Sequence, residues 1–108
     1  MTDYLIRPDE RVAFAKERFT KNDLARGARL FLGLNCFEAG QTQAAHTHAD
    51  ADKFYLVRSG QARMTVGDAT FIAAQGDVIW CPAGVVHGVE VALERTVLLI
   101  GMAPPPGK

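Results

Sequence analysis

At 108 residues the chain has room for one domain with a modest core and no more. Twelve basic residues balance twelve acidic ones, which leaves no basic excess to face a nucleic-acid backbone. No apolar run approaches the roughly 20 residues that span a bilayer, and residues 1–8 carry no apolar core of a secretory leader. Cys36 and Cys81 are the two cysteines, too few for a disulfide scaffold. The expectation is a cytoplasmic protein with both thiols reduced, rather than a Cys36–Cys81 bridge.

Residues 1–9 read as an N-terminal arm, extended up to Arg7-Pro8. Across residues 10–26, Val12 and Phe14 alternate with polar or small neighbours as in a short strand. Asn22-Asp23 looks like a turn or helix start, and Gly27 closes the stretch. Residues 28–38 are apolar at both parities, so that strand needs cover on both faces. One face can fill a barrel, and the other then needs a second layer or a second subunit. Gly40 turns the chain into a stretch containing His46 and His48.

Further strands are expected at 54–57, 62–66, 69–73, 78–80, 85–91 and 95–102, with turns at Ser59-Gly60, Gly67-Asp68 and Gly76-Asp77. Proline has no amide hydrogen to donate to a ladder, so residues 103–108 should leave the sheet as an exposed tail. Many short strands at regular spacing, with almost no helical pattern, indicate an all-β sandwich or barrel occupying residues 1–108. Trp80 and Phe31 are expected in the core, and Cys81 as a small buried hydrophobe.

Chemistry concentrates on three histidines. Residues two apart on a strand share a face, so His46 and His48 offer two imidazoles from one rigid segment. His87 is the third, beyond Pro82 and Gly84. Were the three to converge, they would supply three neutral nitrogen donors, with positions left open for water or a ligand. The alternative is three structural or exposed histidines with separate roles. Ser-His-Asp or Cys-His relays have no support here, and no phosphate-binding glycine loop is present.

These two stretches resemble the paired motifs of the cupin superfamily. The first is Gly40, five residues, His46-x-His48, four residues, Lys53, six residues, Gly60. The second is Gly76, five residues, Pro82-x-Gly84, two residues, His87, three residues, Val91. Lys53 stands where the family usually has a metal-binding Glu, and Val91 where it often has Asn. The resemblance implies a small single-domain double-stranded β-helix, or jelly-roll barrel, with His46, His48 and His87 as metal ligands. Nickel, zinc, iron, manganese, cobalt and copper all accept such nitrogens. It also implies a homodimer binding a small molecule, and from charge and hydropathy no nucleic-acid or membrane partner is expected. The family includes dioxygenases, isomerases, decarboxylases and non-enzymatic binders, so kinship selects no reaction.

By parity Lys53 shares a face with Tyr55 and Val57, and both Lys53 and Tyr55 are candidate ligand-binding residues. Lys53 has three options: it swings aside, paired with Asp50 or Asp52; it flanks the metal and attracts an anion; or it replaces the metal in a metal-free binder of anionic metabolites. A one-residue slip bringing Asp52 inward would also turn Phe54 and Leu56 in and Tyr55 out.

Overall fold

The computed structural model describes residues 4–107. Among the described residues nine strands form two antiparallel sheets. The larger sheet is ordered β1 (Thr20–Arg26), β2 (Phe31–Phe37), β9 (Thr96–Ala103), β4 (Asp52–Ser59), β7 (Val78–Cys81). The smaller is ordered β3 (Gln43–His46), β8 (His87–Ala92), β5 (Gln61–Val66), β6 (Ala69–Ala74). This is the expected all-β jelly roll. Among the described residues no helix is long and apolar enough to cross a membrane.

The two sheets close on a barrel core that includes Phe37, Tyr55, Met64, Val89 and Leu98. Each contributes through strand alternation, and the pleat sends the intervening side chains outward. Turns sit where glycine can adopt a positive φ. Gly60 (φ 87°) is the tightest, because a Cβ there would overlap the Arg95 carbonyl and the Thr96 backbone.

The N-terminal region departs from expectation. The helical turn lies earlier, at Pro8–Arg11, and the strand later, at Thr20–Arg26. Pairing with β2 overrides the turn-like Asn22-Asp23 signal, since a long neighbouring strand offers a ladder that local propensity does not encode. Asn22 instead donates its Nδ2 to the Arg11 carbonyl at 2.7 Å, and Thr20 Oγ1 donates to the Ala13 carbonyl at 2.6 Å.

Those bonds hold the segment before β1 over the outer face of the large sheet. Leu24, Leu34, Cys36 and Val97 are buried there, packed against Ile6, Val12 and Phe14. The second layer over residues 31–37 is thus the chain's own N-terminal segment. Cys36 belongs to this outer cluster and Cys81 to the barrel core, which keeps the two thiols in separate compartments.

Two aromatic assignments are corrected. Trp80 is 57 % exposed, because Ile79 and Cys81 take the inward positions of β7, an edge strand whose outer face no other described residues cover. Phe31 is half-buried and lines a cleft rather than the core. The strand ends at Ala103, and Pro104 and Gly107 are exposed, while Arg26 Nη2 of β1 donates to the Pro106 carbonyl and leaves Pro105 and Pro106 half-buried. Residues 1–3 of the expected arm and residue 108 of the tail lie outside the described residues.

Candidate metal centre

The histidines converge because of pairing register. On adjacent antiparallel strands, His46 of β3 lies directly opposite His87 of β8, and such partners share a face with Cβ atoms about 5 Å apart. β3 bulges between Gln43 and His46. Gly88 accepts that bulge: a Cβ on it would come within 2.9 Å of the Ala45 Cα and the Gln43 carbonyl oxygen. His48 follows two residues later, and its carbonyl accepts a 2.8 Å bond from the Gly84 amide. The Pro82–Gly84 turn thereby ties the first histidine stretch to the residues just before His87.

The ring centroids of His46 and His87 are 4.4 Å apart, those of His46 and His48 5.1 Å, and those of His48 and His87 5.7 Å. One ring nitrogen from each lies within 4.8 Å of the other two. Carbonyls only accept, so the contacts to Ala44 O at 2.9 Å and Val85 O at 3.2 Å place the proton of His46 and His87 on Nδ1. Nε2 of each therefore carries the free lone pair. His87 Nε2 is buried and has no hydrogen-bond partner. A buried polar atom left unpaired is costly, and a cation among the three imidazoles would satisfy it.

Electrostatics favour the neutral, ligating form of each ring. Burial, with Lys53, His46 and His48 nearby, lowers the His87 imidazolium to about 4. His46 and His48 are also lowered, again chiefly by burial and then by Lys53. The donor set fits a divalent transition metal of nitrogen preference.

Lys53 points inward with Tyr55 and Val57, and β4 pairs with β7 and β9 with no slip from Asp52 to Val57. Asp52 is exposed and accepts from the Ala83 amide at 2.9 Å, so it neither faces the site nor pairs with Lys53. Only 6 % of Lys53 is exposed, and its Nζ sits 4.6 Å from the centroid of the Tyr55 ring. The swung-aside option is thereby corrected. Burial lowers the ammonium to about 8. Tyr55 is fully buried 6.2 Å from the His87 ring, and its hydroxyl donates to Gln43 Oε1 at 3.0 Å. Burial raises its phenol, which stays protonated.

His46, His48 and Lys53 open onto a cleft of about 450 Å³ between the sheets. Its walls include several residues that sequence reasoning missed: Lys21, Arg26, Phe31, Asn35 and Gln43. Asn35 is 3 % exposed, with its Nδ2 unpartnered. A polar residue inside the otherwise apolar run 30–37 was the one available signal for it. Lys21 and Arg26 carried no signal, because β1 was not expected as a paired strand.

The family model described as "Cupin domain" matches residues 33–100, a span holding all three histidines and Lys53. An uncharacterized protein of Streptomyces coelicolor is 38 % identical over 80 residues, covering 74 % of this chain and 75 % of that protein. A protein of known structure from Thermus thermophilus superposes with a TM-score of 0.89 at 27 % identity, covering 94 % of this chain and 98 % of that one. An RmlC-like cupin protein from Desulfovibrio desulfuricans gives a TM-score of 0.81 at 27 % identity, covering 98 % of both chains. With the family match spanning more than half the chain, and the histidines brought together as its paired motifs require, this protein belongs to the cupin domain family.

Proposed function

We propose that this cupin holds one divalent transition metal on His46, His48 and His87, and uses the adjoining cleft to bind or act on a small oxygenated or anionic organic molecule. The observation that carries the reading is the buried, unpartnered Nε2 of His87, beside two further imidazoles on an open cleft. A divalent ion held there would polarise an oxygen of the bound molecule. The chain's own residues do the rest. The Nδ1 bonds to Ala44 and Val85 orient two rings, Gln43 and Tyr55 brace each other behind the site, and Lys53 presents a cation to the ligand. Dioxygenase and isomerase chemistry are both open to such a centre.

Elemental analysis of protein purified without a histidine tag tests this. About one metal per chain, lost on His46→Ala with the fold retained, is expected; protein that takes up no nickel, zinc, iron, manganese, cobalt or copper overturns it. The buried Lys53 favours a second reading, a metal-free module for anionic metabolites. That reading requires anion binding to persist in protein that takes up no metal. Homodimerisation through the uncovered outer face of β4 and β7, and residence in a reducing cytoplasm that suits free Cys36 and Cys81, complete the proposal.

A further inference from the structure

We infer that the cleft takes a small monocarboxylic acid with an apolar body, its carboxylate received by the Lys53 ammonium and its body by the wall of Phe31, Ile100 and Met102. This deepens the reading above and rests on its assignment of the cleft as the ligand site, while standing apart from the metal.

The first support is charge. Lys21, Arg26 and Lys53 line the cleft against a single carboxylate, Asp23, although the whole chain is neutral. A cleft with low-dielectric walls concentrates such an excess. Lys53 is the one deeply buried cation of the three, and its described contact is a ring face rather than a carboxylate. A largely buried ammonium that reaches the cleft without an anion is unfavourable, and an anion entering the cleft would offset that cost.

The second support is the cross-strand register. Arg26, Phe31, Met102 and Lys53 stand in one row across β1, β2, β9 and β4, and Gly33, Ile100 and Tyr55 in the next. The Phe31 ring lies over Gly33, where a Cβ would come within 2.9 Å of it. A carboxylate at Lys53 therefore has apolar surface beside it along the same sheet face. The unpartnered Asn35 Nδ2, on that face of β2, is a further donor lacking an acceptor.

The number of carboxylates follows from the other two cations. Arg26 at the mouth already donates to the Pro106 carbonyl, and Lys21 stands 5.8 Å over the Phe19 ring at the exposed rim. Neither offers a second buried seat, which favours one carboxylate over two.

The test is an NMR titration of chelator-treated, ¹⁵N-labelled protein with hexanoate, hexan-1-ol and hexylamine. Hexanoate should shift the amides of Gly33, Asn35, Lys53 and Met102, and bind roughly tenfold or more tightly than the alcohol or the amine. Lys53→Met should abolish the preference for acid over alcohol while still binding the alcohol. Lys53→Arg should keep the preference and guards against a folding defect in the methionine variant. Equal binding of hexanoate and hexan-1-ol by the parent, or an undiminished acid preference in Lys53→Met, overturns the inference. Metal content measured on untreated protein separates the two readings. Acid preference without metal uptake overturns the metal centre alone, and metal uptake without acid preference overturns this inference alone.

Discussion

Lys53→Met should make the metal-free protein more stable at neutral pH. Burial lowers the Lys53 ammonium from its ordinary 10.5 to about 8, so the folded state releases this proton well before the unfolded chain does. Between those two values unfolding takes up a proton, and stability rises with pH. At about 1.4 kcal/mol per pH unit, the charged amine costs the folded state about 3 kcal/mol below pH 8. Methionine keeps the unbranched stem and removes the charge. Urea denaturation of chelator-treated parent and variant at pH 7 and pH 10 measures the difference. Because Tyr55 and Cys81 are common to both proteins, their own titrations largely cancel in the comparison. The variant should lead by about 3 kcal/mol at pH 7, and the gap should close as pH approaches 10. A variant less stable than the parent at pH 7, or a gap unchanged by pH, would refute the idea that Lys53 is held as an unpaired buried cation. A group kept at such a cost belongs to a site that stability alone did not shape.

The remaining expectations concern backbone and surface. Gly88→Ala puts a methyl against the Ala45 and Gln43 backbone, so it should push β3 away, destabilise the fold by about 1–3 kcal/mol and weaken metal uptake together. Metal titration of the folded variant checks this, and unchanged affinity would mean that His46 is not positioned by the bulge. Gly60→Ala combines a φ of 87° with overlap on the Arg95 and Thr96 backbone and should cost upwards of about 2 kcal/mol in thermal or urea unfolding. Phe54 and Leu56 pair with Trp80 and Val78 on the outer face of β4 and β7, an apolar strip suited to a second copy of the chain. Sedimentation velocity at micromolar concentration should show a dimer that Trp80→Ser converts to monomer; a monomeric parent would end that proposal.

Several features of this protein are local, and for that reason the amino-acid sequence alone determined them. Apolar alternation and turn glycines such as Gly60 and Gly76 marked the strands from residue 54 to 102. Alternation also placed Lys53 on the inward face with Tyr55, and the cost of inverting every side chain weighed against a slip of that strand, whose register with β7 and β9 is indeed unslipped from Asp52 to Val57. The shared centre was implied by the resemblance of the two histidine stretches to the cupin motifs, and the convergence itself rests on His46 pairing with His87 across β3 and β8. Non-local pairing decided the rest. Thr20–Arg26 has little strand propensity and becomes a strand because β2 offers it a ladder, which brings Lys21 and Arg26 to the cleft. Trp80 is exposed because β7 lies at the sheet edge, a property of strand order that its own neighbours in sequence do not carry. Phe31 and Asn35 face a cleft, rather than a filled core, because Gly33 between them and the opposite sheet leave space there. Side-chain periodicity is written residue by residue along a strand, whereas burial depends on which strands become neighbours, and only the closed barrel supplies that.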